Sequence, residues 1–394
     1  MFISGFHDII EDEKPAGSPC RRQKEWYFMK QKIMMILIIQ ALILAAAGAA
    51  GAAGIGAVPP VFTVEDQFAD SDLLQEADLQ GAVTLRVSDG AQLTIDSAGV
   101  YVLSGTASEA CVTVKAGKKD RVQLVLDGVS ITNESAPCIS VQKADRVFIT
   151  TTESRNALEV TGYFTGSEKA VIYAGKDLTM NGKGSLSIRS SKDAVTVKGD
   201  LRITGGSYDI TCGDAAFDAR DSIRVCGGQI TVNACKDGLH AENNKNDTLG
   251  CIYIAGGTVS VSCEDDAVHG NAVIQIDGGD ITLQGHEGLE STWIRLNGGT
   301  VSVTASDDGI NAGRKSFAYE PTVEINGGTL SVVTTTAKCD AIDANGDILI
   351  RGGVIDITSG RPFDCDGAIE WTDGQIIVNG RGISPSQINS LIVR

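Results

Sequence analysis

The sequence predicts an all-β fold, a parallel β-helix solenoid, on three observations. Gly-Gly marks recur at Gly205-Gly206, Gly227-Gly228, Gly256-Gly257, Gly278-Gly279, Gly298-Gly299, Gly327-Gly328 and Gly352-Gly353. Their starts lie 22, 29, 22, 20, 29 and 25 residues apart, a period that marks a solenoid. Each copy alternates apolar and polar residues, as in Thr258–Val261 and Thr300–Val303, which places side chains on alternate faces of a strand. No copy holds a run long enough for a helix. Short strands joined by turns then stack coil on coil at about 4.8 Å.

The elements follow in order. Residues 1–57 form an N-terminal extension with an export signal. Met29–Lys32 is basic, Ile33–Ala47 is apolar, and Ala-Gly-rich sequence runs to Val58. That order matches a secretory signal; residues 33–58 are also long enough for an uncleaved membrane anchor. Met29 is a candidate start. Residues 58–82 are acidic and aperiodic, and read as a linker or N-terminal cap that closes the open edge of the solenoid. Alternation begins at Val83 and continues through Val100–Leu103, Val122–Leu126 and Val147–Ile149 to the regular coils. The helix is expected over 83–380, followed by a tail over 381–394. Two insertions, Glu242–Thr248 and Gly313–Glu320, account for the two spacings of 29. Both follow the same phrase, so both are expected to project from one corner and edge a binding face.

The net charge is −17. Residues 1–57 hold 5 acids and 6 bases, leaving 45 acids against 27 bases, or −18, for the remainder. Phosphate binding needs basic patches, so nucleic acid is excluded as a partner. Of ten cysteines, nine follow the signal. Cys212, Cys235 and Cys263 each lie two residues before an aspartate and read as one column of small apolar side chains, with stacked disulfides as the alternative. No Cys-x-x-Cys spacing points to zinc.

A second phrase carries the chemistry: an acid, Gly or Ala, an apolar residue, a polar residue. It reads Asp193–Thr196, Asp237–His240, Asp266–His269, Glu287–Glu290, Asp308–Asn311 and Asp340–Asp343, with longer variants Asp214–Asp218 and Asp366–Glu370. Stacked in register, it builds two columns of carboxylates about 5 Å apart from coil to coil. Such charges repel unless a cation or a shared proton intervenes. Calcium takes six to eight oxygen ligands in irregular geometry. The expected calcium ligands are Asp214, Asp237, Asp265, Asp266, Glu287, Glu290, Asp307, Asp308, Asn311, Asp340 and Asp343. The alternative is a solvated edge where aspartate is favoured in turns. Trp293, Tyr253, Tyr319 and Trp371 are the candidate rings for stacking on sugars. Lys192 and Lys236 each precede an acid of the phrase. Either could abstract a proton beside a uronate in lyase chemistry, or simply offset the acidic corner.

These phrases resemble a known family, the secreted carbohydrate-binding β-helix proteins of cellulolytic clostridia. The matching segments are Ser97–Gly105, Val122–Ile131, Lys176–Leu186, His286–Glu290 and Ser306–Ala312, within residues 61–380. The resemblance implies a right-handed parallel β-helix like that of pectate lyases, bound calcium, and affinity for plant cell-wall polymers such as cellulose and polygalacturonate. It further implies a binder that leaves the polymer uncut. The expected protein is thus exported, calcium-binding and monomeric. A pectate lyase is the enzymatic alternative, and an adhesin with a protein ligand the structural one.

Overall fold

The computed structural model describes residues 56–392. The signal or anchor expected over 33–58 lies almost wholly outside the described residues. Among those residues no helix is long and apolar enough to cross a membrane.

The described chain is a parallel β-helix. A representative coil has three strands, Ser222–Val225, Gln229–Ala234 and Leu239–Ala241. They lie on three faces, here called first, second and third. Strand pairs between coils are parallel from Val83 onward, and the pairing turns antiparallel only where Ile369–Val378 meets Arg381–Gly382 at the C-terminal end. The third face is a ladder of 12 strands.

Alternation explains the core. Ile223, Ile252, Ile274, Ile294, Val323 and Ile348 stack inward from the first face, all fully buried. Phe217, Leu239, Val268, Leu289, Ile310, Ile342 and Phe363 do the same from the third. Each such side chain contributes about 1.5–3 kcal/mol by leaving water.

The Gly-Gly marks turn the chain from first face to second. The second glycine has φ between 80° and 101° at every mark. At Gly228 an added Cβ would lie 2.9 Å from the Gly206 carbonyl oxygen of the coil below. Both conformation and stacking therefore demand glycine there.

Three expectations are corrected. First, residues 58–82 do not close the end of the helix. They form a strap along the first face, with two one-turn helices, Val64–Gln67 and Asp70–Leu73. The strap runs from Arg295, whose guanidinium donates to the carbonyls of Pro59 and Pro60, back to Asp72 and Gln75 against earlier coils. Second, Asp366–Glu370 is not a copy of the acid phrase. Its place is taken by Arg361–Asp364, since Arg361 pairs with Asp340 and Asp364 with Asp343. Third, the cysteine column is out of step. Cys212 and Cys263 both align with Ala234, while Cys235 lies one residue on and is exposed. Asp214 and Asp265 each precede the true phrase position by one residue, which shifts their cysteines relative to Cys235. Cys111, Cys138, Cys212, Cys226, Cys235, Cys251, Cys263 and Cys339 are free thiols.

Candidate functional site

The acid phrase forms the corner between second and third faces. Its last residue starts an outward column on the third face: Thr196, Asp218, His240, His269, Glu290, Asn311, Asp343 and Asp364. Expected as carboxylates throughout, this column is mixed. Its two histidines are neighbours, with ring centroids 5.0 Å apart and planes tilted by 50°. Asp218 enters it as the last residue of the longer variant, whereas Asp364 follows Pro-Phe and lacks the small residue that marks the phrase.

Among the described residues, three groups could hold a metal ion: Asp237 with Asp265 and Asp266; Asp266 with His269 and Glu290; and His286 with Glu287 and Asp307. The second group is already neutralised from within. His269 Nδ1 lies 2.9 Å from Asp266 and 2.7 Å from Glu290, and the Lys315 ammonium contacts the other Glu290 oxygen. Burial opposes charge on His269, but the two carboxylates outweigh it and push its pKa up to about 9. Burial also opposes charge on Glu290, yet His269 and Lys315 hold it down to about 2.

The first group offers only oxygens, the donor set a hard cation prefers. Asp237 and Asp266 are buried and Asp265 is exposed. Asp237 Oδ1 accepts from the Asp266 amide at 3.3 Å, and Lys236 Nζ lies 3.1 Å from Asp237.

Elsewhere the acids lack enough counter-charge. Burial and then the Glu290 charge push Glu287 up to about 8; Asn311 donates to both its oxygens at 3.0 and 3.1 Å. Burial, with Asp308 and Asp364 nearby, lifts Asp343 to about 7. Asp340 rises to about 6 from burial despite Arg361 at 2.9 Å. Burial raises Asp308 too; its carboxylate accepts the Asp340 amide at 2.8 Å. Asp307 lies 3.8 Å from His286. Asp214 stands apart, paired with Lys192 at 3.2 Å. Ala215 occupies its register position, two residues before Phe217.

Lys192 and Lys236 are therefore both ion-paired to carboxylates of the corner. That geometry matches the charge-offsetting role rather than a free base.

The stacking rings need correction. Trp293, Tyr253 and Tyr319 are buried. The Tyr253 ring packs against Phe62 and Phe68 of the strap, and its hydroxyl donates to Asp277. Trp293 Nε1 donates to Glu324 at 3.2 Å. Tyr319 shares a small cluster with Trp293, Cys251, Ala272 and Val273. Trp371 is half-buried against the main core. Among the described residues, the rings that face solvent are Phe317, 78% exposed, and Tyr163, 85% exposed. Phe317 belongs to the second insertion, and Tyr163 to a corner between second and third faces.

The two insertions do project from one corner, and they touch. Ser316 Oγ donates to the Asp247 carbonyl at 2.6 Å. Thr292 Oγ1 accepts the amides of Lys315 and Ser316 at 2.9 and 2.7 Å. This pins the loop that carries Lys315 and Phe317 beside the outward column.

A family model described as carbohydrate-binding domain-containing protein matches residues 89–293 and 290–370. A carbohydrate-binding domain-containing protein of Acetivibrio thermocellus is 30% identical over 260 residues, 63% of this chain and 90% of that protein. A solved structure of a polysaccharide lyase-like protein from C. thermocellum, a gadolinium derivative, is 21% identical and has a TM-score of 0.33. That likeness covers 76% of this chain and 97% of the other. With the family model spanning most of the β-helix, this chain belongs to the carbohydrate-binding domain-containing protein family.

Proposed function

We propose that this protein is an exported, monomeric binder of plant cell-wall polysaccharide that uses calcium on its acidic corner and does not cleave the polymer. The observation that carries this is the corner itself. Stacked carboxylates, of which Glu287 and Asp343 hold protons near neutrality for want of counter-charge, lie beside a pinned loop that bears an exposed ring. Family membership supports a carbohydrate ligand. Calcium at Asp237, Asp265 and Asp266 would supply positive charge that bridges an acidic polymer such as polygalacturonate to a protein of −17. Phe317 offers a face for a neutral polymer such as cellulose.

The ion-paired state of Lys192 and Lys236 supports binding without turnover, because a general base must be free to take a proton. Pull-down on polygalacturonate and cellulose, with calcium and with chelator, tests the reading. Polygalacturonate retention should fall sharply in chelator, and Phe317→Ala should weaken cellulose retention. Failure to retain either polymer with calcium present would sink it. Release of unsaturated uronide, abolished by Lys192→Ala or Lys236→Ala, would replace it with lyase activity.

A further inference from the structure

The strap lies on an unusual row of side chains. The outward column of the first face reads Thr179, Arg202, Arg224, Tyr253, Gln275, Arg295 and Glu324. In so acidic a chain, three arginines in one column mark a distinct surface. The strap runs along this column from Arg295 to Thr179, five coil steps or about 24 Å. It adds no strand to the sheet, so its hold rests on side chains, caps and carbonyls.

At its Thr179 end is a carboxylate in a clamp. Asp72 is fully buried. Arg146 Nη1 donates to both its oxygens at 3.0 and 3.1 Å, and Thr179 Oγ1 donates at 3.0 Å. Arg202 Nε lies 3.7 Å away. Arg202 and Arg224 also meet Asp200, and Arg202 meets Asp177. Arg146 makes its ion pair with Asp72. Farther along, Arg295 takes the Pro59 and Pro60 carbonyls as hydrogen-bond acceptors, and Gln275 exchanges hydrogen bonds with the Phe62 backbone. The strap thus presents one carboxylate, several carbonyl oxygens and an aromatic contact to arginines, a threonine and a tyrosine. An extended polyuronate presents the same chemistry: carboxylates for guanidinium forks, oxygens for donors, and a sugar face for Tyr253.

We propose that the first-face column around Arg146, Thr179 and Arg202 is a second polysaccharide site, specific for uronate carboxylates, which the chain's own strap occupies in cis through Asp72. It rests on the carbohydrate-binding reading above but needs no metal ion. The strap competes intramolecularly, so the apparent affinity is the intrinsic one reduced by the fraction of molecules with the strap released. Loosening the strap unmasks the site.

The test uses the full chain in chelator, where cation bridging at the third face is silent. Hexagalacturonate is titrated by calorimetry into wild type, Asp72→Asn and Phe68→Ser. Asp72→Asn removes the competing charge at the clamp. Phe68→Ser loosens the strap at Tyr253, away from the clamp, and serves if the first variant fails to fold. Either is expected to tighten binding about tenfold. The gain should disappear when Arg146→Gln is added, and cellohexaose should show no gain. A folded variant that binds hexagalacturonate no better than wild type overturns the proposal, as does an equal gain for cellohexaose. Hydrogen exchange on wild type gives a second reading: saturating hexagalacturonate should speed exchange at the Phe68 and Asp72 amides, and bound ligand with strap exchange unchanged also overturns it. Loss of all polymer binding by wild type in calcium would instead count against the third-face reading.

Discussion

His269 and Glu290 are register partners on adjacent coils of the third face, with Nδ1 2.7 Å from the carboxylate. One residue of the ladder thereby supplies the cation for the next. The protein meets the repulsion of its stacked acids partly with its own bases: His269, Lys315, Lys192, Lys236 and Arg361. Where counter-charge falls short, Glu287 and Asp343 bind their protons more tightly than free carboxylates do.

This arrangement sets the pH dependence of stability. Glu287 at about 8, Asp343 at about 7, Asp340 and Asp193 at about 6, and His269 at about 9 all bind protons more tightly when folded. Their contribution is complete below the unfolded values and is lost as pH rises through the folded ones. Glu290, at about 2, contributes fully above its unfolded value and is constant in this range. In chelator the melting temperature should therefore fall steadily from about pH 5 to about pH 9. Calcium, if it binds the ionised folded form as proposed, should flatten the decline. Thermal melts across this range check both, and a pH-independent melting temperature in chelator would contradict the ladder's electrostatics.

The Gly-Gly turns give a stability prediction free of charge. Gly279 has φ of 101°, and an added Cβ would lie 2.9 Å from the Gly257 carbonyl oxygen. Gly128 has φ of 72° but open space around it. Gly128→Ala should cost about 1 kcal/mol from conformation alone. Gly279→Ala adds a backbone clash and should cost about 2–3 kcal/mol. Urea unfolding of the two variants makes the comparison; equal losses would mean that stacking does not constrain the turn.

Much of this was legible because a β-helix turns sequence period into spatial column. The Gly-Gly marks, the third-face column from Asp218 to Asp343 and the shared corner of the two insertions all follow from counting residues. Counting fails where the phrase changes length or spelling. Asp214 and Asp366 looked like copies but sit off register, while Arg361–Asp364 occupies the true position without a small residue after its first. Burial of rings was not legible either. Tyr253 points outward from its strand, as alternation says, and only the strap covers it. The strap itself has no period, and its partners Arg146, Arg202 and Arg295 lie more than 70 positions away.

The Arg295 guanidinium is nearly as buried as the core. It is 2% exposed, with Glu324 at 2.8 Å and the carbonyls of Pro59 and Pro60 as further acceptors. Arg295→Ala leaves Glu324 facing Trp293 with Arg351 as its remaining ion-pair partner. Removing one member of a buried pair costs about 3–5 kcal/mol. The variant should lose that much in chemical denaturation, with protease cleavage appearing first within residues 59–63. Loss of stability without early cleavage there would show that Arg295 serves the coils and not the strap.

Lys315 tests whether the ladder's internal cations and a metal ion compete for the same oxygens. Its ammonium contacts Glu290, which also faces His269. A calcium ion entering between Asp266 and Glu290 would have to displace that ammonium or sit beside it, and like charges at contact distance repel. Lys315→Ala removes the competitor but keeps the loop in place, because Thr292 holds the backbone amides of residues 315 and 316 and Ser316 holds Asp247. Calcium should therefore bind the variant more tightly, by roughly fivefold for a partly exposed ion pair worth about 1 kcal/mol. Calorimetric titration at pH 8 reads this directly. Binding weakened by Lys315→Ala would mean that the lysine organises Glu290 for the ion. Unchanged binding would place the ion away from Glu290, at the all-oxygen group of Asp237, Asp265 and Asp266, and Asp265→Asn with Asp266→Asn should then abolish it.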